Sequence, residues 1–315
     1  MNFLRKPAAA LTRSARQLWS GVSGLVKPDG ASYELVPYSF AGLEILMPKD
    51  HRLGIYQTLH PLYDRFLPHL AKYLPAGSIV VDVGANVGDT LAAMYVSNTS
   101  LAFVCIEPDD EFFPILRTNA GRITSQDELV SITLIKSLVG ASVTNVTLKG
   151  AGGTKKAVQT PGTSGIQSET IDDLLEIPPG KMLALLKSDV DGYDYDVINS
   201  AHNVIDSARP LLFFECQLDH AFQKTAYERL ISELPTRGYN SFTVFDNFGE
   251  VVMRTNDAAA VIQLFNYVWR QNAGRASRTV YYYDILVGEQ KHDGLICSCI
   301  ADYVSINMPV STREA

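Results

Sequence analysis

The sequence lacks the long apolar segments that membrane-spanning helices require. No uninterrupted apolar run in its 315 residues approaches the roughly 18 residues that would cross a bilayer. Hydrophobic residues still make up 46% of the chain. That share can supply the core of one large α/β domain with additions, or of two small domains. We therefore expect a folded chain without a transmembrane helix.

Cysteine is scarce, and the cysteines present are not spaced as metal ligands. The four are Cys105, Cys216, Cys297 and Cys299, with no C-x-x-C pair and no Cys/His cluster at zinc spacing. Cys105 and Cys216 lie inside apolar, strand-like runs, where a cysteine usually acts as a small buried hydrophobe. Free cysteines of this kind are typical of a reducing compartment, so we expect a cytoplasmic protein.

An excess of positive charge is also missing, except at the N-terminus. The formal net charge is -7, which argues against general nucleic-acid binding. Residues 1–30 differ, because they contain five basic residues against Asp29 alone. Leu4, Leu11, Ala15, Leu18, Val22 and Leu25 would line one face of a helix there. The pattern fits a helix packed on the domain or a frayed terminus, a peripheral membrane or protein contact through residues 1–28, or an organelle presequence.

The order of predicted elements divides the chain into four parts. Residues 1–30 form the basic arm, and residues 31–74 a lead made of a hairpin (33–47) and a helix (56–74). Residues 75–290 alternate apolar strands with amphipathic helices, and residues 291–315 are an unassigned tail. Such alternation predicts one largely parallel sheet with helices on both faces. Ligands of these sheets bind beyond the carboxyl ends of the strands.

The Gly-rich segment 148–165 does not match a phosphate loop. It contains no G-x-x-x-x-G-K-[ST], the pattern that cradles phosphates. An excursion of a hairpin is the simpler prediction, with a substrate lid as the alternative.

The first strand of the alternating region ends in VVDVGANVGDT, residues 80–90. A dinucleotide loop, G-x-G-x-x-G, would require glycine where Asn86 and Asp89 stand. Asp89, near a helix N-terminus, would also repel a pyrophosphate. S-adenosylmethionine has no phosphates, and its sulfonium suits an acidic pocket. We therefore assign Asp82, Gly84, Asn86 and Gly88 to binding this cofactor, with an ordinary tight turn as the alternative.

Two residues at the next strand ends extend the predicted cofactor site. Glu107 directly follows the apolar run AFVCI, where a carboxylate can accept hydrogen bonds from both ribose hydroxyls. Ser137 follows the third strand and is placed to contact an adenine. A surface glutamate and a plain turn serine are the alternatives.

The fourth and fifth strands end in acids. Asp189, Asp191 and Asp194 follow MLALLKS, and Glu215 ends PLLFFE. Clustered carboxylates raise one another's pKa, which suits a proton acceptor near neutral pH. The alternative is a helix N-terminus with acids in its first turn.

Taken together, these segments resemble the FkbM-type methyltransferases over roughly residues 50–290. The resemblance runs from VVDVGANVGDT through IEPDDEFFPILRTNA to LLKSDVDGYDYDVINSA and PLLFFE. The family pattern K-x-D-x-E-G-x-E is matched at Lys187, Asp189 and Gly192, but Asp191 and Asp194 replace its two glutamates. The resemblance implies a class I methyltransferase (Rossmann-like) α/β fold, with a mostly parallel seven-stranded sheet, helices on both faces and an antiparallel last hairpin. It also implies S-adenosylmethionine-dependent O-methylation of sugar, glycan or polyketide-like hydroxyls.

For the reaction, we expect a carboxylate to take the proton of the acceptor hydroxyl. Asp189 is the first candidate for this base, Asp191 the second and His220 the third. We also assign Asp189 to the cofactor-binding residues, because it follows a strand at the edge where the cofactor would lie. A magnesium-assisted variant, with Asp189 and Glu215 as oxygen ligands, is an alternative that we do not favour. A cofactor-binding scaffold without turnover is another, since both family glutamates are shortened to aspartate. An NAD oxidoreductase is disfavoured by the glycine spacing.

Overall fold

A computed structural model describes residues 34–141, 146–151, 154–159, 166–273, 275 and 278–307. The basic arm predicted for residues 1–30, and its membrane or partner contact, lie outside the described residues. Parts of the Gly-rich segment 148–165 lie outside them too. No helix in the described ranges is long and apolar enough to cross a membrane.

The described strands form one large sheet and three two-stranded ones. The large sheet contains β3 (Ile79–Val83), β4 (Ala102–Ile106), β5 (Ile132–Ile135), β10 (Leu183–Ser188), β11 (Leu211–Gln217), β12 (Tyr239–Asp246), β13 (Val251–Thr255) and β14 (Tyr282–Glu289). The small sheets pair β1 (Leu35–Phe40) with β2 (Leu43–Pro48), β6 (Leu138–Val139) with β9 (Ser168–Glu169), and β7 (Val146–Ala151) with β8 (Thr154–Gln159). The hairpin of β7 and β8 agrees with the excursion expected for the Gly-rich segment.

Helices occupy the connections between these strands. They are α1 (Leu53–Leu59), α2 (Phe66–Ala71), α3 (Asp89–Ser97), α4 (Phe112–Gln126), α5 (Ile171–Leu174), α6 (Asp194–Asn199), α7 (His202–Ala208), α8 (Ala221–Glu233), α9 (Ala258–Asn272) and α10 (Asp293–Asn307). Short 3-10 turns follow α8 at Leu234–Arg237 and precede α10 at Gln290–His292.

The strand order of the large sheet is β13-β12-β14-β11-β10-β3-β4-β5. The five strands from β11 to β5 are parallel, whereas β14 runs antiparallel to both β11 and β12. The mostly parallel sheet with an antiparallel end is therefore confirmed. It has eight strands instead of the expected seven, because Val251–Thr255 adds an edge strand against β12. Its alternating half-buried and exposed residues gave only a weak apolar signal.

Apolar layers cover both faces of the sheet, as expected for parallel strands. Side chains alternate across β3, so that Val80 packs in one layer while Val81 and Val83 pack in the other. The first layer gathers β1, β2, α2, α3, α4 and α10. The second gathers α6, α7, α8 and α9. Each residue of β3 is buried, so the strand from which the site loop departs is held from both sides.

The lead before the domain is a hairpin followed by two short helices. The hairpin was expected, but the single helix over 56–74 is interrupted between α1 and α2. His60 ends α1 with an extended backbone, φ -131° and ψ 92°. It precedes Pro61, whose ring disfavours helical geometry in the residue before it. Asn119 of α4 holds the hairpin to the domain, with its side chain bonding the N–H and C=O of Leu46 at 2.7 and 2.8 Å.

The unassigned tail contains a helix that belongs to the core. In α10, the side chains of Ile296, Cys299 and Tyr303 are buried against the layer that contains the lead. The Tyr303 hydroxyl donates to the backbone oxygen of Gly249 at 2.9 Å. The structured part of the chain therefore continues to residue 307, beyond the boundary expected at 290.

Candidate functional site

The loop after β3 brings the backbone of two strand ends into contact. Gly84 has a left-handed backbone with φ +76°. A Cβ atom built on it would lie 2.0 Å from the backbone oxygen of Asp189. Asp189 in turn donates its N–H to the Val83 oxygen at 3.1 Å. Only glycine can occupy position 84 without moving the loop that carries Asp189.

A buried ion pair underlies this loop. The Lys187 ammonium lies 2.7 Å from the Asp82 carboxylate and 3.7 Å from Asp189, and it donates to the Gly84 oxygen at 3.3 Å. Burial disfavours the ammonium, but the carboxylates of Asp82 and Asp189 outweigh it and raise the pKa of Lys187. Asp82 therefore supports this loop through its ion pair with Lys187, and it lines neither of the two cavities described below. Lys187 belongs to the family motif, but the sequence does not show which residue it pairs with.

Glu107 is held at the end of β4 by two backbone amides. Its carboxylate accepts the N–H of Asn86 at 2.8 Å and that of Asp109 at 2.8 Å. Burial raises the pKa of Glu107 to about 7, against the lowering effect of these two hydrogen bonds. The carboxylate is oriented before any ligand arrives, and it borders a cavity.

That smaller cavity has a volume of about 80 Å³. Its lining combines apolar side chains with polar and charged ones and includes Phe112, Val139, Val190, Glu107, Ser137, Asp109 and Lys155. The Ser137 hydroxyl donates to Glu169 at 2.6 Å. Five residues predicted to bind the cofactor therefore lie together here: Gly84, Asn86, Glu107, Ser137 and Asp189. Gly88 lies outside it, as the left-handed residue that begins α3.

The loop after β10 is shaped by a buried carboxylate. Asp194 accepts hydrogen bonds from the Ser188 hydroxyl at 2.6 Å and from the N–H groups of Val190 and Gly192 at 3.1 and 3.3 Å. Burial, with the nearby charge of Asp189, raises the pKa of Asp194 to about 7. This residue fixes the loop geometry. Asp191 has φ +55°, a conformation that aspartate tolerates better than most residues.

A larger cavity, of about 290 Å³, adjoins the smaller one. Gly84, Asn86, Asp189 and Asp191 line both cavities. The walls of the larger cavity combine aromatic rings with acids: Tyr56, Tyr63, Phe66, Phe213, Phe245, Tyr282, Asp64, Asp89, Glu215 and Asp284. The Asp189 side chain is 54% exposed, which leaves it open to whatever enters. Two ligands that fill these cavities would therefore meet beside Asp189.

His220, the third candidate base, lies away from both cavities. It begins α8, where its side chain accepts the backbone N–H of Gln223 and the Gln223 side chain accepts the N–H of His220 at 2.8 Å. The ring is exposed and stacks on Phe222, with centroids 5.5 Å apart. These contacts give His220 a capping role.

The metal alternative has little support from the arrangement of ligands. Among the residues that the structure describes, no group of three His, Cys, Asp or Glu side chains is placed to hold a metal ion. Glu215 lines the larger cavity, as Asp189 does.

The fold and the site together define a class of protein. Numbered within the sheet, the strands from β5 to β12 run 3-2-1-4-5-7-6, with the seventh antiparallel. The dinucleotide fold has the order 3-2-1-4-5-6 instead. The strand order 3-2-1-4-5-7-6, with a glycine loop after the first strand and a buried acid after the second, defines a class I S-adenosylmethionine-dependent methyltransferase.

Sequence comparison gives the family. The model of the methyltransferase FkbM domain matches residues 82–241, about half of the chain. The chain therefore belongs to the FkbM methyltransferase domain family and is an S-adenosylmethionine-dependent methyltransferase. Among curated proteins, none matches it in sequence.

Solved structures of methyltransferases are distant from this chain. Methyltransferase FkbM from Methylobacillus flagellatus KT is 15% identical, with a TM-score of 0.37 over 67% of this chain and 43% of that one. The chain thus spans less than half of that protein. A methyltransferase from Thiobacillus denitrificans, in complex with S-adenosyl-L-homocysteine, is 11% identical, with a TM-score of 0.37 over 76% and 97%. An rRNA methylase from Streptococcus thermophilus is 10% identical, with a TM-score of 0.39 over 71% and 93%.

The sequence analysis did not identify Asp64, Tyr63 and Asp284, which line the larger cavity. Asp284 did leave a signal, because it is an acid in the middle of the apolar strand YYYDILVG. An acid at such a position is unusual unless it faces a partner or a ligand. Asp64 and Tyr63 gave no such signal in the sequence, because they lie in the break between α1 and α2.

Proposed function

We propose that the protein transfers a methyl group from S-adenosylmethionine to a hydroxyl of a sugar, a glycan or a polyketide-like small molecule. The observation that carries this proposal is the contact of the two cavities at Asp189. We assign the smaller cavity, which Glu107 and Ser137 line, to the nucleoside of the cofactor, and the larger cavity to the acceptor. A carboxylate open to both is a suitable proton acceptor at their junction.

The side chains present fit the cofactor. Glu107 offers carboxylate oxygens for the two ribose hydroxyls, and Ser137, Val139 and Phe112 of the same cavity would contact the adenine. The absent side chain of Gly84 leaves room where a Cβ would collide with the neighbouring loop. When bound, S-adenosylmethionine supplies a methyl group on a positively charged sulfur. Asp189 and Asp191 at the junction, with Asp89 in the wall of the larger cavity, favour that charge.

The residues of the chain then have two tasks. The cavity walls hold the acceptor hydroxyl in line with the methyl group, and orientation of this kind supplies much of the acceleration. Asp189 accepts the hydroxyl proton as the oxygen gains its methyl group, a contribution of about 10²–10⁴-fold. Lys187 is already bound to Asp82, so its contact with Asp189 at 3.7 Å leaves the carboxylate accessible. Asp191, which lines both cavities, is the second candidate for the base.

The proposal is tested by incubating the protein with isotope-labelled S-adenosylmethionine and a panel of sugars, glycans and hydroxylated polyketides. We expect label in an ether linkage of one acceptor class, identified by mass spectrometry. Label on nitrogen, carbon or nucleic acid would contradict O-methylation. Cofactor binding without transfer to any acceptor would favour the scaffold alternative. Loss of transfer on adding a chelator, with recovery on adding magnesium, would favour the metal-assisted alternative with Asp189 and Glu215 as ligands.

A further inference from the structure

One end of the larger cavity contains a carboxylate with a buried oxygen that, among the residues described, has no hydrogen-bond partner. Glu215, at the end of β11, is only 9% exposed and lines this cavity but not the nucleoside cavity. Within the described residues, its Oε1 atom is buried and has no hydrogen-bond partner. A buried acceptor of this kind costs free energy unless something binds it. The side chain is therefore placed for a hydrogen-bond donor that enters the cavity.

A second acid lies directly across the sheet. The antiparallel register of β11 and β14 pairs Glu215 with Asp284, which also lines the larger cavity. Side chains at opposed positions have Cβ atoms about 4.5–5.5 Å apart, and like charges there destabilise the sheet. Two ionised acids at these opposed positions therefore destabilise the folded protein.

The strongest charges that act on Glu215 are those of other carboxylates. Burial raises its pKa well above the usual value, and Asp189, Asp194, Asp284 and Asp191 add to that effect. The ammonium of Lys187, the one lysine in the lining, is bound to Asp82. The pKa of Asp284 is raised as well, first by burial and then by Asp189. When no ligand is bound, protonation of these carboxylates reduces the repulsion between Glu215 and Asp284.

The adjacent walls favour a cation over a neutral donor. Tyr63 and Tyr282 line the same cavity, and aromatic faces attract cations by the charge distribution of the ring. A neutral hydroxyl would satisfy an oxygen of Glu215 but would leave the repulsion from Asp284 unchanged. A protonated amine can donate to both carboxylates and offset both charges.

We propose that Glu215 and Asp284 bind a protonated amine of the acceptor, so that the acceptor is an amino-bearing polyol such as an amino sugar. This inference rests on the proposed function, because it identifies the class of molecule that the larger cavity takes. The amine binds at the end lined by these two acids, and the hydroxyl to be methylated lies toward Asp189. The pair would thus determine acceptor specificity and orientation, and it takes no part in the transfer step.

The test compares glucosamine with glucose and N-acetylglucosamine, which lack the cationic amine. The affinity of each sugar is measured at pH 7 by ligand-observed NMR, on protein saturated with S-adenosylhomocysteine. We expect glucosamine to bind about tenfold or more tightly than either neutral sugar, as one charged hydrogen bond would give. Glu215→Gln and Asp284→Asn should each remove most of this preference for glucosamine over the neutral sugars. Glu128→Gln, which replaces an exposed acid outside both cavities, should keep it.

Equal affinity for the three sugars, or a preference that survives in Glu215→Gln, would overturn the inference. Magnesium binding that is lost in Glu215→Gln would overturn it too, in favour of a metal site. Failure of the proposed function gives a different result. In that case S-adenosylhomocysteine would not bind in calorimetry, or methyl transfer would go to an atom other than oxygen, whatever the sugar preference.

Discussion

Glu107 illustrates how one side chain connects sequence, local structure and ligand. It follows the strand AFVCI in the sequence, and the fold orients it with the N–H groups of Asn86 and Asp109. Those amides hold the carboxylate still, so a ribose that binds it does not have to order it. Asp189 is different, because the backbone contact with Gly84 positions it while its side chain remains open to both cavities.

The first prediction is that Glu107→Ala weakens S-adenosylmethionine binding by about 1.5–3 kcal/mol, the range for a hydrogen bond to a charged group. Isothermal calorimetry measures the affinity, and circular dichroism verifies the fold. Glu128→Ala, on the exposed loop after α4, serves as the matched control. An unchanged affinity in a folded Glu107→Ala protein would falsify the ribose assignment.

The second prediction concerns Asp189→Asn, which keeps the side-chain shape but removes the proton acceptor. Turnover should fall by about 10²–10⁴-fold, with little change in cofactor affinity. Single-turnover rates and calorimetry measure the two quantities, and Asp110→Asn, at an exposed acid, is the control. Collapse of cofactor binding would instead make Asp189 a cofactor ligand. Near-normal turnover would transfer the base role to Asp191.

At the scale of elements, the site depends on segments outside the alternating strands and helices. The lead contributes Tyr56, Tyr63 and Asp64 to the larger cavity. The helix α10 supports that lead from behind, since Tyr303 packs edge-on against Phe66 with ring centroids 5.3 Å apart. An element at the C-terminal end of the chain therefore stabilises a wall formed near its beginning.

The third prediction follows from that packing. Tyr303→Ala should lower the free energy of unfolding by about 3–5 kcal/mol, as large-to-small changes at buried aromatic residues do. Tyr303→Phe keeps the ring but removes the hydroxyl, which donates to the backbone oxygens of Gly249 at 2.9 Å and Leu62 at 3.5 Å, and should cost about 0.5–1.5 kcal/mol. Denaturant unfolding measures both. Equal effects of the two variants would mean that the ring contributes little to the packing.

At the scale of the whole molecule, the site accumulates buried acids with raised pKa values. Glu107 and Asp194 both reach about 7, from ordinary values of 4.5 and 3.8. Between those ordinary values and about 7, the folded chain binds more protons than the unfolded chain. Stability attributable to these groups therefore falls as pH rises through that interval. This is the cost of a cavity lined with carboxylates when no ligand occupies it.

The fourth prediction is that the melting temperature of the ligand-free protein decreases by several degrees from pH 5 to pH 8. Glu215→Gln removes one acid of raised pKa and should make that decrease shallower. Differential scanning calorimetry at matched ionic strength measures both slopes. A melting temperature that rises over this interval would contradict the assignment of these acids as protonated in the folded state.

The fifth prediction concerns the arm, whose composition suits an interface better than a core. A chain lacking residues 1–28 should fold and bind S-adenosylmethionine with unchanged affinity. Binding to vesicles that contain anionic lipid should weaken if the arm contacts membranes. Loss of folding or of cofactor affinity in the truncated chain would instead show that the arm packs on the domain.

The sequence by itself determined the local features of this protein. Apolar runs with interruptions at Pro and Gly predicted the parallel strands, and chemistry just beyond them identified Gly84, Glu107, Ser137 and Asp189 as neighbours. That inference works because parallel strands place their carboxyl ends at one edge of a sheet. The edge strand β13 was missed because its alternating half-buried and exposed residues give a weak apolar signal. The break before Pro61 was missed although the proline itself disfavours a helical residue before it.

Only the tertiary structure decided which distant residues meet. The pairing of Asp82 with Lys187 and the opposition of Glu215 and Asp284 depend on strand order and register. Neither of these is encoded by a local pattern, because a strand has the same alternation whichever neighbour it takes. A shift of register by one residue would turn Asp284 to the other face of the sheet. The sequence therefore located the cofactor's end of the site, whereas the acceptor's end depended on how β11, β14 and the lead pack together.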